Sequence, residues 1–154
     1  KQNNNAMTPQ QIELVQSSWE KIVPIASDAT TIFYQRLFAI APYLKPLFKG
    51  DVEEQGKKLA TILTTVVRGL KQLDKLEMAV WQLGRRHIAY GVSMPDYQPV
   101  AEALLWTLEQ GLGADFTVQT KEAWVGAYTL LASVMQAGAD YPYANFSLWK
   151  AEQG

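Results

Sequence analysis

The chain has 154 residues, 48% of them hydrophobic, which is enough for one sizeable core and leaves no room for a second catalytic domain. Its 14 basic and 15 acidic side chains are mixed along the sequence to a formal net charge of -1, so it has no basic footprint for nucleic acid or anionic lipid. It contains no cysteine, which excludes disulfides, thiolate metal sites, cysteine nucleophiles and thioether-linked cofactors.

Residues 1–7 begin with a polar run, lack the apolar stretch of a signal peptide, and are expected to be a disordered lead or an expression remnant. Thr8-Pro9-Gln10-Gln11 is a helix start, with a hydroxyl cap, proline at the first helical position and glutamine three residues after the cap. That helix is predicted to run to about Ile22. After Pro24 a second helical pattern, through Ile32-Phe33-Tyr34 and then Leu37-Phe38, turns the Tyr34 phenol inward. The two prolines of Ala41-Pro42-Tyr43-Leu44-Lys45-Pro46-Leu47-Phe48 permit only a short turn-like corner ending on Phe48. Lys49-Gly50-Asp51 resets the chain. Leu59, Ile62, Leu63, Val66 and Leu70 then mark an amphipathic helix ending near Gly69, with Gln55 one turn ahead of Leu59 on its face.

The only histidine, His87, lies on the next helical pattern, which starts at Leu73 or Leu76. Leu76, Val80 and Leu83 precede it on the buried stripe, and Gly91 supplies a stop. An inward imidazole needs a partner for each nitrogen. Leu83, one turn back, offers a carbonyl to one, leaving the other for a ligand. Ser93-Met94-Pro95-Asp96 is a capping sequence for a helix through Val100, Leu104, Leu105 and Leu108 to Gly111 or Gly113. Thr117 caps a last helix in which Trp124, Ala127, Tyr128, Leu131, Met135 and Gly138 recur at helical spacing. No stretch alternates over six residues as a half-buried strand does, so the fold class is all-α, with one domain over residues 8–140. Residues 141–154 are aromatic but irregular, and are expected to dock back on the helices or on a partner subunit of a homodimer. The longest uncharged run, residues 123–139, is short of a membrane span. A cytoplasmic protein with no membrane or nucleic-acid partner is expected.

An inward histidine, an inward tyrosine, a glutamine on a third helix and a bulky aromatic at a proline-rich corner share one explanation, a haem pocket. Haem iron takes one strong nitrogen ligand, and a neutral imidazole oriented by a second hydrogen bond meets that need. The porphyrin requires apolar walls, which Phe48, Leu59, Ile62, Val92, Val100 and Leu104 can supply. The Tyr34 hydroxyl and Gln55 amide can hold a diatomic gas that gathers negative charge at ferrous iron. Each such hydrogen bond contributes about 1.5 to 3 kcal/mol, where ~1.4 kcal/mol is tenfold in affinity.

The pocket residues fall within Phe33-Tyr34-Gln35-Arg36-Leu37-Phe38, Leu44-Lys45-Pro46-Leu47-Phe48, Gln55-Gly56-Lys57-Lys58-Leu59 and Leu83-Gly84-Arg85-Arg86-His87 with Tyr90-Gly91-Val92. Glu102-Ala103-Leu104-Leu105 and Glu122-Ala123-Trp124 with Tyr128 follow. In order and spacing these motifs resemble the globin family, specifically the bacterial single-domain globins and the globin part of flavohaemoglobins, over residues 8–138. The resemblance implies a globin fold of about seven to eight helices around one non-covalent haem b. It makes His87 the proximal iron ligand and Tyr34 and Gln55 the distal polar pair. Phe48 would pack on the haem, Leu59 line the ligand site and Lys58 reach a propionate, while Ile62, Val92, Val100, Leu104 and Tyr128 complete the contacts. Tyr97 matches a tyrosine that in bacterial globins helps hold a glutamate against the proximal histidine. The chain departs from that pattern, with Ala139 at the glutamate position and Asp140 beside it, so a push toward anionic imidazole is not implied. With one histidine, the bis-histidyl iron of neuroglobin-like proteins cannot form within the chain.

The implied function is reversible binding of O2, and of NO and CO, for oxygen storage or transport. One alternative is a nitric oxide dioxygenase, which would need a separate reductase because the chain carries no flavin or nicotinamide domain. Another is the gas-sensing module of a larger protein.

Overall fold

The structure, a computed structural model, describes residues 7–154 apart from Tyr90 and Val92, with backbone alone for Ala89 and Met94. Of the lead expected over residues 1–7, residues 1–6 lie outside the described residues, and Met7 packs against the main core. Among those described, all regular structure is helical: α1 (Pro9–Ile22), α2 (Ala26–Ile40), α3 (Val52–Arg68), α4 (Leu73–Ala89), α5 (Tyr97–Leu112), α6 (Val118–Asp140) and α7 (Phe146–Gln153). Short 3-10 turns occupy Val23–Ile25, Pro42–Leu47, Leu70–Gln72, Met94–Asp96 and Gly113–Asp115.

The helix starts form where local chemistry specifies them. Thr8 Oγ1 accepts from the Gln11 backbone N–H at 3.1 Å while Gln11 Oε1 accepts from the Thr8 N–H at 3.0 Å, a reciprocal box that satisfies two otherwise orphaned donors. Asp51 accepts from the Glu53 N–H at 3.0 Å and Thr117 from the Thr120 N–H at 3.1 Å, starting α3 and α6. Proline sets the corners, since Pro24, Pro42 and Pro46 all fall in 3-10 turns.

The main core forms where α1 packs on α6 and α2 crosses α5. Val15, Trp19 and Ile22 meet Ala123, Trp124 and Ala127 there, and Phe33, Tyr34 and Leu37 join Ala103, Leu104 and Leu108. Trp19 and Trp124 lie 5.9 Å apart between ring centroids, and both indoles keep their hydrogen bonds. Trp124 Nε1 donates to Ser18 Oγ at 2.8 Å and Trp19 Nε1 to Thr64 Oγ1 at 3.0 Å. Each bond avoids the ~1–3 kcal/mol cost of burying an unpaired donor. A smaller core lies where α4 runs along α6, around Val80, Trp81 and Val134.

The C-terminal residues, expected to be irregular, instead close with α7. Asn145 caps it by accepting from the Leu148 N–H at 2.9 Å, and Phe146 and Trp149, three residues apart, pack onto the smaller core. Of the two dockings expected for this tail, on the helices or on a partner subunit, the chain shows α7 packed on α4. No helix among the described residues is long and apolar enough to cross a membrane.

Glycine within α6 offers a test of its packing. A Cβ on Gly126 would meet nothing within 4 Å, so Gly126→Ala is expected to raise stability by ~0.5–1 kcal/mol through helix propensity and the unfolded-state entropy. The denaturant midpoint should rise with an unchanged slope. A fall would mean that this face of α6 is covered in solution.

Candidate functional site

Where α2, the 42–47 turn, α3, α4, α5 and α6 converge they enclose a cavity of about 290 Å3. Its walls are almost wholly apolar, with Phe33, Leu47, Phe48, Leu59, Leu63 and Val100 among them, and against these the few polar groups stand out.

The first is His87. Helical spacing on α4 brings Val80, Leu83 and His87 to the cavity together. His87 Nδ1 is 2.8 Å from the Leu83 carbonyl oxygen. A carbonyl only accepts, so this nitrogen donates, and the lone pair of the neutral ring falls on Nε2. Past the end of α4 the chain turns at Gly91, whose φ of +89° suits glycine and whose N–H donates to the Ile88 carbonyl at 2.9 Å.

The second is Tyr34, which α2 presents at 5% exposure. The rings of Phe33 and Phe48 meet it edge-on at 5.1 and 5.5 Å, and Phe38 stacks on it at 5.9 Å. Among the described residues nothing hydrogen-bonds its hydroxyl. Burial pushes its pKa up to about 12, so the phenol stays protonated and able to donate at neutral pH. The ring is buried while the hydroxyl keeps access to the cavity, where a guest with a negatively charged atom would accept from it.

Of the other residues named from sequence, Phe48, Leu59, Ile62, Tyr97, Val100, Leu104 and Tyr128 line the cavity. Val92 lies outside the described residues. Two more are not brought to the cavity. Gln55 Nε2 donates to the Lys49 carbonyl at 3.0 Å, because the first turn of α3 lies within reach of the loop that precedes it. Lys58 is exposed on α3.

On the α5–α6 side, the Tyr128 hydroxyl donates to the Tyr97 carbonyl at 2.6 Å, and burial together with Tyr97 holds its pKa well above the usual phenol range. The Tyr97 phenol is also raised, by burial first and then by the Asp140 carboxylate. Asp140 is the last residue of α6, next to Ala139, where the sequence pattern breaks.

Sequence reasoning took Asp96 only as part of a cap. It is 8% exposed, lies in the cavity wall, and accepts from the Ser93 N–H at 2.9 Å and from Ser93 Oγ at 3.1 Å. The serine-to-acid spacing was the available signal for this bond, but its place in the wall depends on how α5 packs. A second hollow of about 450 Å3 lies between α2, α5 and the start of α6, where Arg36 sits 4.1 Å over the Trp106 ring. It is an open groove whose two bases, Arg36 and Lys121, face two acids, Glu102 and Glu109, and it holds no imidazole or orphaned donor. Among the described residues no cluster of three histidine or acidic side chains is placed to hold a metal ion directly.

Comparison with known proteins gives the family and the fold. The profile of the globin family matches residues 31–135. Neuroglobin-1 of Oncorhynchus mykiss is 28% identical over 146 residues, 86% of this chain and 92% of the relative. Neuroglobin of Danio rerio is 30% identical over 139 residues, 81% of this chain and 87% of the relative. The fold matches that of an engineered carbene transferase, described as a candidate nitric oxide dioxygenase from Rhodothermus marinus. There the TM-score is 0.78 at 24% identity, over 96% of this chain and 99% of that one.

Proposed function

This chain belongs to the globin family, and from that premise we propose that it binds O2 reversibly at a haem b held by His87, with Tyr34 holding the gas. Family membership makes it a haem protein for small gaseous ligands. Haem iron, when bound, supplies the reversible coordination of a diatomic gas. The chain supplies the rest.

The residues fit such a group. His87, its Nδ1 donating to Leu83, presents the Nε2 lone pair that an axial ligand requires. With no cysteine in the chain, thioether attachment is excluded. Phe48, Leu59, Val100 and Leu104 give the cavity apolar walls, with the half-exposed Ile62 at its edge, and a hydrogen bond made against such walls is strengthened. Lys58, exposed on α3, would neutralise a propionate at the rim. The observation that carries the reading is the Tyr34 hydroxyl, a donor on a buried side chain with no hydrogen-bond partner among the described residues, in an apolar chamber where a bound gas that gathers negative charge would accept from it.

Gln55 takes a subordinate place as distal partner. Its amide reaches a ligand only by giving up the Lys49 carbonyl, a neutral hydrogen bond with a net contribution of ~0.5–1.5 kcal/mol. Gln55→Leu is therefore expected to change the O2 dissociation rate less than about threefold, measured by stopped-flow displacement with CO. A tenfold rise would put the amide in the ligand site.

The function itself is tested by oxygen equilibrium on reduced protein freed of dithionite. Binding that reverses when argon replaces air is expected; immediate oxidation without a reversible phase would overturn it. The same donor suits the enzymatic alternative, oxidation of NO to nitrate, which needs electrons delivered by a reductase at each turnover. NO consumption continuing over many equivalents with such a donor would move the assignment to nitric oxide dioxygenase.

A further inference from the structure

The seam between α4 and α6 is closer than side chains allow. A Cβ built on Gly84 would lie 1.9 Å from the Met135 carbonyl oxygen and 2.5 Å from its carbon, and one on Gly138 would lie 2.0 Å from the Trp81 carbonyl oxygen. The pairings are reciprocal and one turn apart, so the helices touch backbone to backbone at two glycines. Real Cβ contacts essentially never fall under 3.0 Å, so a methyl at Gly84 would force the helices apart by about 1 Å.

Arg85 fastens the same seam. Its Nη1 donates to the Gly138 carbonyl at 2.9 Å and to the Tyr141 carbonyl at 2.7 Å, placing a cation where the last carbonyls of α6 concentrate negative charge. Its guanidinium also lies 5.4 Å over the Trp81 ring. Trp81 is fully buried, with Tyr141, Phe146 and Trp149 at ring-centroid distances of 6.1, 5.7 and 6.0 Å. Its Nε1 has no hydrogen-bond partner among the described residues, so the indole is located by packing alone.

We propose that this seam positions the proximal imidazole, with Gly84, Gly138 and Arg85 as positioning residues that set where His87 stands in the cavity. The inference rests on His87 being the iron ligand. Leu83, whose carbonyl orients His87, precedes Gly84, and Met135, whose carbonyl meets Gly84, lines the cavity beside His87. A close-packed interior transmits a displacement of this size instead of absorbing it. Moving α4 off Met135 therefore moves the imidazole relative to the wall opposite it.

The test uses haem-loaded protein and two readouts, the iron–imidazole stretching band of the ferrous form by resonance Raman and the rate of haem transfer to excess apomyoglobin. Gly84→Ala is expected to shift or broaden the band and to speed haem loss by about tenfold, the low end of the effect of removing a group that orients a metal ligand. Arg85→Gln should move both readouts in the same direction, and Arg85→Lys should restore part of the change. Gly126→Ala, in open space on the same α6, should leave both as in the wild type. Should Gly84→Ala not fold, the two Arg85 variants carry the same test. A wild-type band and haem-loss rate in folded Gly84→Ala, or in Arg85→Gln, overturns the proposal. Absence of an iron–imidazole band in the haem-loaded wild type overturns the reading of His87, and this proposal with it.

Discussion

Replacing His87 with alanine is expected to weaken haem retention by at least about a hundredfold, because removal of the ligand should exceed the 10–100-fold effect of removing a group that merely orients one. His87 is the only histidine in the chain, so no second imidazole can take its place. The other polar groups in the cavity wall include phenols, hydroxyls and the Asp96 carboxylate, which already accepts two hydrogen bonds from Ser93. The space left by the ring is closed on one side by Leu83 and Val80, so free imidazole added to the variant should enter it and restore part of the spectrum. Haem transfer to apomyoglobin and the Soret band check both effects. Unchanged retention with an unchanged spectrum would place the ligand elsewhere.

Tyr34→Phe is expected to raise the O2 dissociation rate by about 10- to 100-fold, from the loss of a hydrogen bond that contributes ~1.5–3 kcal/mol when the acceptor carries charge. CO gathers less charge, so its dissociation should change far less. The same substitution should leave the stability of the protein without its ligand unchanged or slightly raised, since the hydroxyl it removes has no partner among the described residues. The combination is diagnostic. A tyrosine that merely tied the core together would lose stability and leave gas kinetics alone. Stopped-flow O2 displacement and a denaturant titration on one preparation distinguish the two.

What the sequence made legible is local. The Thr8 box, the Thr117 cap and the bond from His87 to the Leu83 carbonyl each join residues three or four apart, where helix geometry alone brings the groups together. The inward turn of Tyr34 follows from the same periodicity. Gln55 was harder, because it sits where α3 leaves a loop. The choice between the cavity and the Lys49 carbonyl depends on that loop's path, which periodicity does not encode. α7 was hidden by its brevity: eight residues are too few for a hydrophobic repeat to declare itself, and Asn145 was its one local sign. Gly84 and Gly138 were the least legible of all. Each sits unremarkably in a helical pattern, and only the packing of α4 against α6 shows why neither tolerates a side chain.

The most direct test is the absorption spectrum of the purified protein, reconstituted with haem and freed of excess, reduced with dithionite under argon and then exposed to CO. A Soret band that belongs to a histidine-ligated ferrous haem and shifts on CO addition is expected. A protein that emerges from reconstitution with no Soret band would contradict the haem pocket and leave the cavity between His87 and Tyr34 to some other guest.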